Sequence, residues 1–328
     1  MNSYVTLFDS NYLIKGLTMY YSLRKTGESF DLYVIAFDQE TYDILNKMKL
    51  HHLIPISLND FESDRLKKIK TTRSVAEYCW TCSCFSIKYV LETYGLDQVT
   101  YLDADLYFYD TTKRIFDEFD LSGKSVLITS HDFPENNKSL EIYGKYCVQF
   151  VVFKNNPEGR RVLNWWCDRC EEWCYDRLED GKFGDQKYLD DWTERFNCVH
   201  VLENTSLCAA PWNIQKYETG SGPKLNGVSP VFYHFHQLKW IEQDIFYLCM
   251  HKLSRNDIQY VYIPYVKTLQ HVMEVVRNRW DPSFEKGIAG FQPAKLHIRE
   301  SLLHPTGFLK SRKIVKHLTG TYNLIRVH

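Results

Sequence analysis

The chain has 328 residues, of which 44% are hydrophobic and 25% are charged, and its formal net charge is −1 at pH 7. This length allows a sizeable buried core, and the composition is ordinary for a globular protein. A net charge close to zero argues against a general nucleic-acid-binding protein, so we expect no nucleic-acid partner. There is no basic leader before the first strand and no run of about 18 apolar residues, so we expect a cytoplasmic protein without a membrane span.

Strand-like and helix-like patterns alternate from residue 3 to about residue 240. The predicted strands cover 3–8, 32–37, 54–56, 99–102, 126–129, 146–153, 199–201 and 231–236. The predicted helices start after the turn 9–12, after Asp38, at Asn59 as N-cap, at Ser74 and at Pro157. This alternation predicts an α/β fold with a mixed, mainly parallel, Rossmann-like sheet flanked by helices.

Two carboxylates, Asp103 and Asp105, interrupt the apolar and aromatic stretch 99–109. A buried carboxylate is costly unless it is neutralised, and the nearest cations in sequence are Lys88 and Lys113. A divalent cation is one candidate, because it prefers oxygen ligands and shares them with the phosphates of a nucleotide. The alternative is an acidic turn whose side chains cap backbone N–H groups. This stretch alone leaves both interpretations open.

Other polar residues are expected at the same edge of the sheet as Asp103. In open α/β sheets, ligands bind at the carboxyl ends of the strands. Asp9 and Asp38 also follow strands directly, although each fits a helix cap, which is the preferred interpretation for Asp38. Gln149 lies inside an apolar strand, where its amide needs a partner, either a substrate hydroxyl or a neighbouring backbone group.

The ten cysteines include two C-x-x-C pairs, at 79–82 and 167–170, a spacing that a zinc site could use. Cys167, Cys170 and Cys174, however, fall on one stripe of a predicted helix, and the first pair falls on another. We therefore interpret these residues as buried reduced thiols that act as small apolar side chains. A disulfide framework is typical of small secreted proteins, which this chain does not resemble.

The pattern changes at about residue 241, beyond which helical patterns dominate. We therefore expect two parts, a sheet-containing catalytic or binding domain of residues 1–240 and a helical, basic extension of residues 241–328. Residues 295–328 contain seven basic side chains and one acidic one. A basic amphipathic segment of this kind can lie on an anionic membrane surface, or it can be a solvated helical face, and both interpretations stay open.

Four segments in order then point to a known family. They are Val5–Tyr12, the Asp-x-Asp motif of Tyr101–Asp105, the pair Asp185-Gln186, and His234–Trp240. Through these segments, residues 3–240 resemble nucleotide-diphospho-sugar glycosyltransferases of the GT-A type, most of all the bacterial family-eight enzymes that include lipopolysaccharide galactosyl- and glucosyltransferases. The fourth segment departs from the family's His-x-x-Gly-x-x-Lys-Pro-Trp, because it lacks the Gly and has one residue fewer between the His and the Lys.

The resemblance implies metal-dependent transfer of a sugar from a nucleotide-diphosphate donor, a UDP-sugar, to a saccharide or lipid-linked acceptor in surface polysaccharide synthesis, with retention of anomeric configuration. It implies Mn²⁺ or Mg²⁺ as cofactor, held by Asp103, Asp105 and a histidine, either His234 or His236. The donor-binding residues implied are Phe8, Asp9 and Asn11 at the uridine, Asp103, and Lys239 at the diphosphate. A location at the inner face of the membrane would suit a lipid-linked acceptor.

For the sugar face opposite the leaving group, the candidate residues are, in order, Gln186, Asp185 and Gln149. The acceptor is expected at His131, Tyr143 and Trp212, where aromatic faces can stack on sugar rings. One departure concerns the Arg that the family carries on the helix before Asp-x-Asp. Residues 74–102 contain no Arg, and Lys88, their one cation, can pair with Glu92 at i, i+4.

Three other classes fit less well. A sugar-1-phosphate nucleotidyltransferase would carry a Gly-rich, basic loop after the first strand, which the turn 9–12 is not. A glycosidase needs two carboxylates on either side of one bond, and Asp103 and Asp105 are too close together for that. A non-catalytic sugar- or nucleotide-sugar-binding module would have no reason to keep two acids, a histidine and a lysine at one edge.

Overall fold

The computed structural model describes residues 1–289 and 323–327. Its strands are β1 (Asn2–Phe8), β2 (Phe30–Ala36), β3 (Leu53–Ser57), β4 (Gln98–Leu102), β5 (Leu106–Phe108), β6 (Val126–Ser130), β7 (Tyr146–Lys154), β8 (Val199–Val201), β9 (Cys208–Ala209), β10 (Phe232–His234), β11 (Lys239–Glu242), β12 (Ile245–Tyr247) and β13 (Leu324–Arg326). Its helices are α1 (Leu13–Lys25), α2 (Gln39–Met48), α3 (Leu58–Phe61), α4 (Asp64–Lys70), α5 (Val75–Tyr94), α6 (Lys113–Ser122), α7 (Pro157–Glu172), α8 (Trp192–Arg195), α9 (Arg255–Asp257) and α10 (Ile263–Arg279). Short 3₁₀ helices cover Glu135–Tyr143, Gln186–Asp191, Thr205–Leu207 and Ile214–Lys216, and a π-helical turn, Ile258–Tyr262, joins α9 to α10.

Seven strands form the central sheet in the order β3-β2-β1-β4-β7-β6-β8. The pairs β1–β2, β1–β4, β2–β3 and β6–β8 are parallel, and β7 is antiparallel to both of its neighbours. The predicted mixed, mainly parallel sheet is therefore confirmed. The chain moves outward from β1 to β3 and returns to β4 on the other side of β1. The ends of β1 and β4 thus flank a topological switch point, where open α/β sheets bind ligands.

Apolar side chains cover both faces of the central sheet, because alternate residues of a strand point to opposite sides. Leu32 and Val34 of β2 pack in one core with α1, α2 and α10, whereas Tyr33 and Ile35 pack in a second core with α5 and α7. All ten cysteines carry free thiols, and nine of them are buried. The cysteines of both C-x-x-C pairs lie in or against the second core, which fits their interpretation as small apolar side chains.

Helix starts follow the expected capping chemistry with one correction. Asp38 caps α2 as predicted, and its second carboxylate oxygen accepts the N–H of Ser10 at 2.9 Å, which ties the end of β1 to the end of β2. The predicted cap at Asn59 is wrong, since that residue lies inside α3. Ser57 and Ser63 cap α3 and α4 instead. Serine and asparagine cap helices about equally well, so the sequence could not decide between neighbours.

A second sheet, with the order β5-β10-β9, connects directly to the central one. Its first strand, β5, follows β4 across the turn formed by Asp103, Ala104 and Asp105. Strand β10 runs antiparallel to β5, with His234 opposite Leu106. This register brings the end of β10 to the acidic turn.

The described residues after 240 contain strands as well as the predicted helix. Strands β11, β12 and β13 form an antiparallel sheet, and α10 shares a core with α1. The expected boundary at residue 240 falls inside β11, and strands of three or four residues are too short to show a clear period-two pattern. Most of the basic segment 295–328 lies outside the described residues, while its Arg326 pairs with Asp244 at 3.1 Å. Over the part of the chain described, no helix combines the length and apolar character needed to cross a bilayer.

Candidate metal and donor site

The turn between β4 and β5 places Asp103 and Asp105 at the carboxyl edge of the central sheet. The N–H of Asp103 donates to the backbone oxygen of Gln149 at 3.0 Å, and the N–H of Phe235 donates to the backbone oxygen of Asp105 at 2.9 Å. The turn is thus held by β7 on one side and by the residue after β10 on the other. Asp105 is only 7% exposed, so its carboxylate needs partners within the protein.

His234, the last residue of β10, lies between the two acids and a glutamine. Its Nε2 is 3.0 Å from Asp105 Oδ1 and 3.8 Å from Asp103 Oδ2. Its Nδ1 is 2.9 Å from Gln149 Oε1, and Gln149 Nε2 donates to Thr129 Oγ1 at 3.2 Å. Because an amide oxygen only accepts, Nδ1 carries a proton and Nε2 is the nitrogen that faces the acids. A metal-binding histidine is commonly held by a partner in this way.

A bulge in β7 explains how that strand reaches the site. The register of the β6–β7 pair shifts between Leu127 and Thr129, so that residues 148–151 of β7 face a single residue of β6. Bulges change the direction of side chains and are frequent next to functional sites. Gln149, which is fully buried, lies within this bulge.

Cys147 belongs to the site although nothing in the sequence analysis singled it out. Its sulfur, a carboxylate oxygen of Asp103 and a ring nitrogen of His234 lie within 4.8 Å of one another, and no second such group of three metal-ligating side chains occurs in residues 1–289 and 323–327. The spacing of Cys147 and Gln149, two residues apart on one strand, is the signal that could have found it. Oxygen, nitrogen and sulfur donors at this separation fit a divalent cation.

The site concentrates negative charge in a buried place. Burial raises the pKa of Asp103 to about 6, with Asp105 adding to the rise and His234 opposing it. Burial likewise raises the pKa of Asp185 to about 7, and Asp103 adds to it. Burial acts in the same direction on Asp105, but His234 outweighs it and holds the pKa of that carboxyl below its usual range. Coupled carboxylates in such an environment fit a bound divalent cation, which would neutralise them.

Lys15 of α1 places a positive charge beside the acidic turn, although it is far from Asp103 and Asp105 in the sequence. Its Nζ is 3.7 Å from Asp105 Oδ2 and 4.3 Å from the ring centre of Tyr12. Lys88, the cation of α5, instead donates to Asn164 Oδ1 of α7 at 2.9 Å. The positive charge at the acidic turn therefore comes from the helix after β1, not from the helix before β4.

The three residues expected at a uridine lie at the end of β1 and in the turn after it. The Phe8 ring packs so closely on Gly16 that a Cβ there would overlap it. Asp9 accepts the backbone N–H groups of Asn11 and Tyr12 at 3.0 and 3.1 Å and the side-chain amide of Asn11 at 3.1 Å. Asp9 thus makes the backbone contacts of a turn or helix cap, which is the alternative interpretation of this residue. Asn11 and Tyr12 are exposed at the same edge of the sheet.

His131 and Trp212, two of the three expected acceptor residues, lie beside the site histidines. The Trp212 ring centre is 5.0 Å from that of His131, 5.1 Å from that of His234 and 5.5 Å from that of His236. Within the described residues, neither Trp212 Nε1 nor His131 Nδ1 has a hydrogen-bond partner. His234 contacts the acids directly, whereas His236 lies exposed in the turn that leads to Lys239, the first residue of β11.

Tyr143, the third expected acceptor residue, lies with Gln186. Gln186 Nε2 donates to the backbone oxygen of Tyr143 at 3.0 Å, and the Tyr143 ring packs edge-on against Phe183 at 4.9 Å between ring centres. Asp185 is 6% exposed, and its backbone oxygen accepts Trp166 Nε1 at 3.0 Å. The two residues of the Asp-Gln pair therefore lie in different environments. Asp185 is buried and interacts electrostatically with Asp103 of the acidic turn, whereas Gln186 lies nearer the surface.

No protein-family model matches the chain. Two proteins of Bacillus subtilis (strain 168) are similar to most of it. YfnF is 28% identical over 293 residues, which are 86% of this chain and 96% of YfnF. YfnD is 28% identical over 291 residues, which are 86% of this chain and 93% of YfnD. Both proteins are described as uncharacterized. The similarity covers most of their length, but it indicates no activity.

Solved glycosyltransferases share the fold. The galactosyltransferase LgtC, in complex with donor and acceptor sugar analogs, has a TM-score of 0.52 at 13% identity, over 82% of this chain and 95% of LgtC. The apo form of the glycosyltransferase GlyE of Streptococcus pneumoniae TIGR4 has a TM-score of 0.51 at 15% identity, over 85% of this chain and 62% of GlyE. The expected GT-A fold is therefore confirmed, and at such identities the likeness concerns the fold.

Proposed function

We propose that the protein is a metal-dependent glycosyltransferase that moves a sugar from a nucleotide-diphosphate donor, a UDP-sugar, to a saccharide or lipid-linked acceptor in the synthesis of a surface polysaccharide such as lipopolysaccharide. The observation that carries the proposal is the meeting of Asp103, Asp105 and His234 at the switch point of the sheet. A diphosphate at this place would share a cation with these side chains. Mn²⁺ or Mg²⁺ is the ion that the sequence resemblance implies.

As the bond from the anomeric carbon to the phosphate oxygen breaks, negative charge grows on the diphosphate. The site has to stabilise this charge. A bound divalent cation stabilises that charge as a Lewis acid. Lys15 and Lys239 would add fixed positive charge at the same edge. Gln149 has both ends of its amide engaged, with His234 and Thr129, so we assign it to holding the imidazole rather than to contact with the sugar.

The sugar and the acceptor are assigned to the residues around this centre. Asp185 and Gln186 remain the candidates for the sugar face opposite the leaving group, where retention requires a polar, weakly nucleophilic group. We assign the acceptor to His131 and Trp212, because they lie beside the site histidines and carry buried ring nitrogens that have no hydrogen-bond partner within the described residues. Tyr143 would form the outer edge of that subsite. The base is assigned to the segment Phe8–Asn11 at the end of β1.

A place in the cell follows from the acceptor class. A lipid-linked acceptor is presented at a membrane surface, and the basic segment 295–328 carries the charge that anionic lipids attract. We therefore propose a cytoplasmic enzyme that contacts the inner face of the membrane through this segment.

Calorimetric titration of UDP, with and without Mn²⁺, tests the proposal on the wild type, Asp105→Ala and Asp117→Ala. Asp117 is exposed and pairs with Lys113, so its loss controls for removal of a carboxylate outside the site. Binding should require Mn²⁺ in the wild type and the control and should vanish in Asp105→Ala.

Each other outcome of this titration has its own meaning. Binding of GDP or CDP in place of UDP would change the donor class. Metal-dependent binding of a UDP-sugar that is never turned over, with any saccharide supplied, would indicate a binding module. The absence of nucleotide binding under every condition would refute the transferase.

A further inference from the structure

We propose that Cys147 is a metal ligand, and that Cys147, Asp103 and His234 together bind a cation of the Zn²⁺ class in preference to Mn²⁺ or Mg²⁺. The inference rests on the metal site of the proposed function but not on its transfer chemistry. When the metal–sulfur bond forms, it replaces the S–H bond, and the thiol proton passes to solvent.

The positions of the three donor atoms carry the inference. They lie within 4.8 Å of one another. Tetrahedral bonds of about 2.0–2.3 Å to Zn²⁺ place ligand atoms roughly 3.3–3.8 Å apart, so small side-chain rotations would close the site. Asp105 Oδ1 is 3.0 Å from His234 Nε2, but Asp105 does not belong to this group of three. The backbone around the donors is fixed, because the N–H of Asp103 donates to Gln149 in the same strand as Cys147.

The alternative is that Cys147 is a small apolar side chain, as buried cysteines usually are. It is 4% exposed and packs with Ala210 and Trp212. The other nine thiols of the chain are the comparison, since none of them joins a group of metal-ligating side chains within the described residues. Cys147 differs from them because it meets a carboxylate and an imidazole, and because Gln149, two residues on, fixes that imidazole through a hydrogen bond with Nδ1.

Sulfur decides which metal the site prefers. Mg²⁺ and Mn²⁺ favour oxygen donors, whereas a thiolate combined with an imidazole favours Zn²⁺ and its spectroscopic substitute Co²⁺. The same residues without the thiol would form an ordinary site for Mn²⁺. The preference between the two metals therefore depends on one side chain, which makes it testable by one substitution.

Co²⁺ added alone to the purified full-length protein is the first test, because a cobalt–thiolate bond gives a charge-transfer band in the near ultraviolet. We expect the band in the wild type and in Cys198→Ser, and its loss in Cys147→Ser. Cys198 is the matched control, since it is also buried but precedes β8 at the amino end of the sheet, away from the acidic turn. Competition against a chromophoric chelator should show that Zn²⁺ affinity falls in Cys147→Ser by more than the about 10–100-fold that loss of a group orienting a ligand costs, while Mn²⁺ affinity changes much less.

X-ray absorption of the zinc-loaded wild type does not depend on the folding of a variant. It should show one sulfur at about 2.3 Å, with nitrogen or oxygen in the remaining positions. A wild-type cobalt spectrum without the band, a band that survives in Cys147→Ser, or several sulfurs per zinc would overturn the inference. The two proposals fail separately. A cobalt band without nucleotide binding would keep the metal site and remove the transferase, whereas Mn²⁺-dependent UDP binding without the band would do the reverse.

Discussion

Replacement of Lys15 by Met should strengthen metal binding and weaken donor turnover in the same variant. Lys15 Nζ lies 3.7 Å from Asp105 Oδ2, where two unit charges attract by about 4 kcal/mol at an effective dielectric constant of about 20. A divalent cation on the same carboxylate would meet the ammonium at roughly 5 Å and be repelled by about 2 kcal/mol even at the dielectric constant of water. Loss of the ammonium should therefore lower the metal Kd by at least about tenfold.

Turnover should move the other way, because an ammonium beside the acids is also placed to meet the diphosphate. Loss of one electrostatic group of this kind typically lowers kcat by about 100–1000-fold. Metal titration by calorimetry and UDP release from a UDP-hexose at saturating metal measure the two effects. Lys88→Met is the control, since Lys88 binds Asn164 instead of the site. Unchanged or weaker metal binding in Lys15→Met would refute the electrostatic reasoning.

Three further perturbations test other parts of the site. Gln149→Leu removes the acceptor that orients His234, so metal affinity measured by calorimetry should fall by about 10–100-fold. Burial raises the pKa of Asp103 to about 6 and that of Asp185 to about 7, so these two carboxyls bind protons more tightly in the metal-free folded state than in the unfolded chain. Their contribution to stability is lost as the pH rises from about 4 to about 7, whereas His131 and His236, whose pKa burial lowers to about 3, act in the opposite direction. The contribution of Asp185 is therefore measured as the Tm of the wild type minus that of Asp185→Asn, both with a chelator, and this difference should fall as the pH rises over that range. Gly16→Ala should lower the free energy of unfolding, measured by chemical denaturation, by about 1–3 kcal/mol, because the new Cβ overlaps an aromatic ring of β1.

Each of these perturbations has a matched control. Gln149→Glu keeps an acceptor for the imidazole and should lose less metal affinity than Gln149→Leu, so equal losses would contradict the positioning role. A Tm difference between the wild type and Asp185→Asn that stays constant with pH would show that this carboxyl does not titrate as inferred. At Gly220 a Cβ would have its nearest atom at 3.9 Å, so Gly220→Ala should be close to neutral. Gly16→Ala must be clearly less stable than Gly220→Ala for the packing argument to hold.

The mainly parallel character of the central sheet and the place of the acidic turn could be predicted because both depend on patterns within short stretches of chain. Alternating strands and helices favour parallel pairing, and the first turn after a strand lies at the carboxyl edge. Asp103 and His234 could be associated only through the resemblance of whole segments. Their contact depends on the register of β10 against β5, which three-residue strands do not reveal.

Lys15 and Cys147 were not predicted for a different physical reason. Lys15 and Asp105 belong to different βα units, and only the adjacency of β1 and β4 brings them together. Cys147 reaches the site because β7 bulges against β6, and a continuous apolar strand shows no sign of where its register shifts. Both residues also have common structural roles, as a helix-surface cation and as a small apolar side chain, which local patterns cannot separate from a role in a site.

The donor atoms of the candidate site come from two different sheets, and this has a consequence for folding. Cys147 lies in the central sheet and Asp103 directly after it, whereas His234 ends a strand of the small sheet. A cation held by all three would act as a cross-link that forms only when the two sheets are docked. At a free concentration about 100 times its Kd, such an ion adds about 2.7 kcal/mol to the stability of the folded state. The melting temperature would then report the supply of metal.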